Sequence, residues 1–269
     1  MIETYIVDAF TDEPFKGNPA GVCILLADQE DSKMLAIAKE LGFSETAFVK
    51  KYDNEDKYSI RYFSPKMEIA LCGHATLASS MVLFERNKRT EKIWFVTGQN
   101  LNLKIHKEGD MIAMEFPLYD TQKAAAPEKL LDALGIKKII NVEYNHQTNI
   151  LLIEIERSEQ LRELKPDFQA LYNSHDRING VLVTARSADD NYDFESRYFW
   201  PWSGTNEDPV TGGTHTFLVK YWNRRLGKTK MKSFQCSERT GFMDVEIISN
   251  DAFFIKSKAE IILEGRLRI

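Results

Sequence analysis

Glu45 stands in Leu41-Gly42-Phe43-Ser44-Glu45-Thr46-Ala47-Phe48-Val49, where a helical pattern gives way to an apolar strand. A carboxylate partly withdrawn from water in such a setting suits proton transfer near neutral pH. A plain surface or strand-end glutamate is the ordinary alternative. Gly73 precedes His74, and Gly212-Gly213 precede Thr214, each pair of elements reading as a polar loop running into a helix start. A helix N-terminus offers unpaired N–H groups and a partial positive potential, and glycine lets a ligand approach the backbone closely. These glycines therefore read as two cradles for an anion or a carboxylate, with simple capping of a tight turn as the alternative. His74 also fits a capping role, Asp208 fits the opening of a turn before Pro209, His215 fits helix packing, and Cys72 fits a small core residue.

The elements that must position these residues carry one pattern twice. Arg61-Tyr62-Phe63-Ser64-Pro65 is matched by Arg197-Tyr198-Phe199-Trp200-Pro201, and each leads through a polar loop to one of the glycine turns. The match suggests duplication, although five letters alone could coincide by chance. Short β-like runs dominate the first half at residues 5–10, 22–26, 46–50, 58–63, 92–96, 101–106 and 111–116, with helical patterns at 31–41 and 75–86. The second half repeats the mixture, with strands at 150–155, 180–184, 192–199, 242–248 and 252–257 and helices at 128–134, 167–172 and 214–223. Most connections look too short for a crossover helix, which predicts largely antiparallel sheets. The helix at 75–84 has no charge and that at 214–222 a single one, so both should be buried on nearly all sides. The expected architecture is α+β: two similar lobes, each a curled, mostly antiparallel, barrel-like sheet around a central helix. The first lobe is placed at residues 1–117 and the second at 118–269, with the C-terminal strands candidates to cross back to the first lobe. Two loop-and-helix ends meeting at a cleft would then form a site.

Composition narrows the function classes. A net charge of -5 and a pI near 5.7 argue against nucleic acid or an anionic membrane as partner. No apolar run in the sequence reaches membrane-spanning length, and Met1-Ile2-Glu3-Thr4-Tyr5-Ile6-Val7 lacks the basic-then-apolar order of a signal peptide. Three cysteines, Cys23, Cys72 and Cys236, show no metal-site spacing, so the expectation is a cytoplasmic protein with no structural disulfide and no zinc site. Tyr62, Phe63, Trp200 and Trp202 are candidates either to pack on a planar part of a ligand or to fill the core.

Four motifs occur in order: Gly17-Asn18-Pro19-Ala20-Gly21-Val22, Ser44-Glu45-Thr46-Ala47-Phe48, Leu71-Cys72-Gly73-His74-Ala75-Thr76 and Glu207-Asp208-Pro209-Val210-Thr211-Gly212. Together they resemble the PhzF family of phenazine-biosynthesis-like isomerases and epimerases, from Val7-Asp8-Ala9-Phe10-Thr11 to about Arg239. The resemblance implies two lobes of the diaminopimelate-epimerase fold with the site between them, no cofactor, no metal, and a homodimer. It implies Glu45 as the general acid/base that moves a C–H proton on a small, carboxylate-bearing metabolite. His74 and Asp208 would bind and orient that substrate and assist proton transfer. Backbone groups at Gly73, Gly212 and Gly213 would hold a carboxylate or the enolate-like charge that forms, and Asn18 would line the cleft. The chain departs from the family where Thr211-Gly212-Gly213-Thr214-His215 replaces the usual Thr-Gly-Ser-Ala-His, so that Thr214 is left to supply the hydroxyl missing at 213. It departs again where Arg239-Thr240-Gly241 replaces Arg-Gly-Gly.

Two other functions compete with the cofactor-independent isomerase. A protein that kept the scaffold and lost the chemistry would bind a small molecule or a partner without turnover. A two-thiol racemase would use Cys72 and an opposite cysteine, but the matching position is Thr211, whose hydroxyl is too weak an acid to replace a thiolate.

Overall fold

Strands that alternate in polarity bury one face, and strands that are apolar throughout bury both. Both kinds occur here, and the second kind lies next to the candidate residues. The computed structural model describes residues 1–52 and 56–269. The chain divides into two compact units, one made of Met1–Glu115 with Phe254–Ile269 and the other of Phe116–Phe253.

The first unit contains strands β1 (Ile2–Ala9), β2 (Asn18–Leu25), β3 (Thr46–Lys51), β4 (Lys57–Phe63), β5 (Glu68–Ile69), β6 (Lys92–Thr97), β7 (Asn102–Glu108) and β8 (Met111–Pro117), with helices α1 (Asp31–Leu41) and α2 (Gly73–Arg86). The second contains β9 (Gln122–Lys123), β10 (Asn141–Asn145), β11 (Ile150–Glu154), β12 (Gly180–Arg186), β13 (Phe194–Trp200), β14 (Thr205–Asp208), β15 (Lys230–Gln235) and β16 (Gly241–Ile247). Its helices are α3 (Glu128–Leu134), α4 (Ser158–Glu163), α5 (Phe168–Ser174) and α6 (His215–Leu226). The chain returns through β17 (Ala252–Ser257) to β18 (Ala259–Leu267), which pairs with β1.

The two units repeat one pairing scheme. In the first the order is β18-β1-β2-β3-β4-β6-β7-β8, with β5 and β6 end to end along one edge of β4. In the second it is β9-β10-β11-β12-β13-β15-β16, with β14 and β15 end to end along β13. Most described pairings are antiparallel, as the short connections predict. The exceptions are β2 with β3, β4 with β6, β11 with β12 and β13 with β15, all parallel. Each of these four connections contains a helix, because a parallel return needs a crossover long enough to hold one. All the described helices but α3, which lies between the antiparallel partners β9 and β10, are thus in the crossovers of otherwise antiparallel sheets.

The repeated Arg-Tyr-Phe letters have a common local purpose. Arg61 grips Glu68 on the returning strand with two bonds (Nε to Oε1 2.7 Å, Nη2 to Oε2 2.5 Å), and Arg197 grips Glu207 in the same way (2.8 and 2.7 Å). Each guanidinium also stacks over the phenylalanine two residues on, at 5.2 Å from the Phe63 ring and 4.9 Å from Phe199. Planar, bidentate pairing of this kind fixes geometry as well as charge.

Each unit has one buried helix. In α2 His74 to Ser80 and Val82 to Phe84 are buried, and the helix packs on β1, β2, β3 and β18. In α6 Trp222 donates to Thr184 of β12 and stacks on Phe194 of β13 at 5.5 Å, while Tyr221 donates to Glu154 of β11. The other sheet faces are covered by the remaining helices. Met34, Ile37 and Ala38 of α1 join Cys23, Leu25, Phe48 and Phe63, and Leu130, Leu134 and Leu171 of α3 and α5 join Leu151, Ile153, Val181 and Val183. Among the described residues no helix is long and apolar enough to cross a membrane.

The two arginine clamps differ in burial, and this makes a prediction. The Arg197 and Glu207 side chains are 10% and 16% exposed, and Arg197 also donates to the carbonyls of Leu161 and Leu164. Arg197→Met should therefore destabilise the protein by about 3–5 kcal/mol, since it strands a buried carboxylate. Arg61→Met, where Arg61 and Glu68 are 29% and 35% exposed, should cost about 1 kcal/mol or less. Urea unfolding of the two variants against wild type measures both; equal losses would contradict the reading.

Candidate active site

Glu45 is placed by a helix end and a strand start with four residues between them. α1 stops at Gly42, whose left-handed backbone (φ 73°) lets its N–H bond the Ala38 carbonyl. The Glu45 carbonyl then accepts from the Gly21 N–H at 3.3 Å, and β3 begins at Thr46 alongside β2. The carboxylate is left 14% exposed.

α2 brings the other half. Its cap is Cys72 in extended conformation (φ -139°, ψ 113°), and no side chain caps its N-terminus. Thr76 holds the start in place by donating its N–H (3.0 Å) and its hydroxyl (2.7 Å) to the Cys72 carbonyl. Tyr62, the second letter of the repeat, in turn donates to the Thr76 hydroxyl at 2.6 Å.

These supports bring Glu45, Cys72 and His74 together. His74 Nε2 lies 3.3 Å from Glu45 Oε2 and 3.5 Å from the Ser44 hydroxyl, and Cys72 Sγ lies 3.4 Å from His74 Nδ1. His74 is buried, and that burial pushes its pKa below the usual histidine range against the opposing pull of the Glu45 charge. The ring is then neutral at pH 7. A carboxylate only accepts, so the consistent tautomer carries its proton on Nε2 toward Glu45 and accepts the Cys72 S–H at Nδ1. Glu45, Cys72 and His74 also each offer a metal-ligating atom, and the three atoms lie within 4.8 Å of one another. Asn18, buried at the start of β2, pairs with Ala9 and shares that strand with Gly21. The preceding Gly17 has φ 65°, and a Cβ there would meet the Ala9 carbonyl oxygen at 2.1 Å, so only glycine fits.

In the second unit Asp208 ends β14, nearly buried, and its Oδ2 accepts from the Thr211 hydroxyl at 2.5 Å. Gln235 fixes this loop by donating to the Asp208 carbonyl (2.7 Å) and accepting from the Thr211 N–H (2.8 Å). Gly212 and Gly213 form the turn, and the Gly212 carbonyl accepts from the His215 N–H. Thr214 is buried and donates its hydroxyl to the Thr211 carbonyl at 3.0 Å, so the helix proper begins at His215, one residue later than the sequence pattern suggests.

The two turns align position by position. His215 matches Thr76: its Nδ1 donates to the Thr211 carbonyl at 3.0 Å, as Thr76 does to that of Cys72. Gly213 matches His74, so the second unit has a bare backbone where the first has an imidazole. Gly213 is exposed and a Cβ there would meet nothing within 4 Å. The aromatic candidates turn mostly inward: Tyr62 bonds Thr76, Phe63 sits in the α1-side core, and Trp202 donates to the Tyr172 and His175 carbonyls. Sequence reasoning did not anticipate the Cys72 thiol against the His74 ring or the grip of Gln235 on Asp208. Only the Cys72-Gly73-His74 adjacency hinted at the first.

A sheet-dominated α+β fold of this kind is shared with proteins carrying isomerase and racemase names. The model of the PhzC-PhzF family, phenazine biosynthesis-like protein, matches residues 7–265, and the chain belongs to this family. It is 39% identical over 266 residues to an uncharacterized isomerase of Halalkalibacterium halodurans, covering 98% of this chain and 97% of that one. It superposes on the crystal structure of a PhzF-family protein of Enterococcus faecalis with a TM-score of 0.92 at 35% identity, covering 100% and 99% of the two chains. A probable proline racemase of Agrobacterium radiobacter K84 shares the fold alone, with a TM-score of 0.58 at 10% identity over 100% of this chain and 93% of that one.

His215 gives a pH prediction. Burial pushes its pKa down to about 4 from the ordinary 6.5, while the unfolded chain titrates normally. Between those values the unfolded state binds the extra proton, so stability is complete above pH 6.5 and falls as the pH drops toward 4. The loss is on the order of 3 kcal/mol. Unfolding free energies of wild type and His215→Asn across this window should show a shallower slope in the variant; identical slopes would refute the assignment. Gly213→Ser should fold with stability within about 0.5 kcal/mol of wild type, by the same unfolding measurement.

Proposed function

We propose that this protein is a cofactor-independent isomerase or epimerase that moves a C–H proton on a small, carboxylate-bearing metabolite, with Glu45 as general acid/base. The observation that carries the proposal is the 3.3 Å approach of Glu45 Oε2 to the Nε2 of a buried, neutral His74. The Glu45 carboxylate takes a proton from the carbon next to the substrate's carboxylate or carbonyl and becomes the acid. The electron pair left behind spreads onto that oxygen as an enolate-like charge. The same proton, or one exchanged with water, then returns from Glu45 to another carbon on the same face; inversion instead takes its proton from a second acid on the other face. A neutral His74 orients Glu45 by a hydrogen bond; an imidazolium there would instead hold the base in an ion pair.

Asp208 is assigned to bind and orient substrate and to assist proton transfer. The N–H groups at Gly73, Gly212 and Gly213 are assigned to hold the carboxylate and the developing charge, supported by the uncapped start of α2. Thr214 and Asn18 are assigned to substrate binding. A two-thiol racemase gains nothing from Thr211, whose hydroxyl is committed to Asp208.

The test is a proton NMR screen of small acids in heavy water. The wild-type protein should wash out a C–H signal from its substrate. Glu45→Gln should slow that loss by about 10²–10⁴-fold with unchanged thermal unfolding. Undiminished exchange in the variant would rule Glu45 out as the proton carrier.

A further inference from the structure

The two copies of Arg-Tyr-Phe put a tyrosine at the same point of each unit, and the two hydroxyls are used differently. Tyr62 of β4 commits its hydroxyl to Thr76 at 2.6 Å. The counterpart of Thr76 is His215, whose ring is held instead by the Thr211 carbonyl (3.0 Å) and by Ser233 (2.9 Å). Tyr198 is therefore released from the structural task of its twin. It is 4% exposed, yet its hydroxyl has no hydrogen-bond partner among the described residues.

Strand alternation puts Phe194, Ser196, Tyr198 and Trp200 on one face of β13. Phe194 stacks on Trp222, so this is the face toward α6. Tyr198 and Asp208 are directly opposed in the β13–β14 pair, and opposed residues share a face. The tyrosine ring lies across Gly180 of β12, where a Cβ would come within 2.5 Å of the hydroxyl oxygen, so the glycine makes room for it. Trp200 stands beside it, with ring centres 5.7 Å apart. The Ser196 hydroxyl and the Trp200 N–H are sealed from solvent and also lack partners among the described residues. Of the three, the Tyr198 hydroxyl is the one not fully sealed. Buried polar groups are almost always paired, so a run of unpaired ones beside Asp208 marks a place where the partner comes from outside the chain. Burial, and then the Asp208 charge, push the Tyr198 pKa above the ordinary 10, which keeps the phenol a neutral donor.

We propose that Tyr198 is a substrate-reading residue of the second unit, donating its hydroxyl to a neutral hydroxyl or carbonyl oxygen of the metabolite, apart from its carboxylate. A second carboxylate at this point would meet the Asp208 charge and is disfavoured. Trp200 forms the apolar wall beside that oxygen. The role as substrate donor rests on the isomerase reading; ligand binding at Tyr198 does not.

Tyr198→Phe and Tyr62→Phe, each in the full chain, separate a hydroxyl kept for a ligand from one committed to the fold. Tyr62→Phe should lower the thermal midpoint by about 2–4 °C through loss of one hydrogen bond, and Tyr198→Phe should leave it unchanged or higher. Binding is read by NMR titration with two pairs of acids that differ by one hydroxyl: butyrate with 3-hydroxybutyrate, and cyclohexanecarboxylate with its 3-hydroxy derivative. Wild type should hold the hydroxylated member of at least one pair about three- to tenfold more tightly. Tyr198→Phe should hold both members alike, and Tyr62→Phe should keep the preference. The role is overturned by a preference that survives Tyr198→Phe, by no preference in wild type for either pair, or by a midpoint that falls as far in Tyr198→Phe as in Tyr62→Phe. Titration needs no turnover. A preference that depends on Tyr198 in a protein that exchanges no C–H proton would sink the isomerase reading and leave the binding role standing.

Discussion

A helix buried on every side carries its polar start into the interior with it. The first N–H groups of such a helix have no intrahelical partner, and the protein must supply one or leave the end open to a ligand. α2 and α6 both face this constraint, and the surrounding side chains hold each start in place without capping it. Thr76 and His215 tie down the carbonyl just before each glycine turn, Tyr62 backs Thr76, and Ser233 lies 2.9 Å from the far nitrogen of His215. The repeated arginine clamps hold the short strands that lead into these turns. Burying two helices thus requires two organised, polar helix starts.

The same frame is used differently in each unit. At the position after the first glycine, one unit has His74 and the other Gly213. At the position before it, the Cys72 thiol faces an imidazole, whereas the Thr211 hydroxyl is spent on Asp208. The first unit therefore concentrates titratable groups, and the second presents open backbone beside one carboxylate. Burial acts on both histidines in the same direction, but only His74 has a carboxylate against it. The His74 ring beside Glu45 is what sets this corner apart from its counterpart in the second unit.

Much of the frame was legible in the letters. The uncharged run in α2 and the singly charged run in α6 announced buried helices, and the twice-written Arg-Tyr-Phe announced equivalent strands. Other strands were hidden because their inward positions are polar. β15 points Ser233 and Gln235 inward, and β10 points in Glu143 and Asn145, so neither shows the apolar alternation of a half-buried strand. Those polar residues are partners of the loops and helix ends they face: Ser233 meets His215, and Gln235 holds Asp208 and Thr211. β18 was masked by its charges and by a register shift against β1. The grouping of Glu45 with Cys72 and His74 could not be read locally. It depends on β3 running parallel to β2 and on α2 packing across both, contacts between segments nearly thirty residues apart.

The account turns on His74 being a neutral, Nε2-protonated ring held against Glu45, and this is open to direct observation without a substrate. Long-range proton–nitrogen NMR correlation of the histidine side chains at pH 7, assigned with His74→Gln, reports the tautomer and charge of the ring. The account predicts a protonated Nε2 and an unprotonated, acceptor Nδ1 for His74. Two equivalent, protonated nitrogens, the signature of an imidazolium, would contradict it.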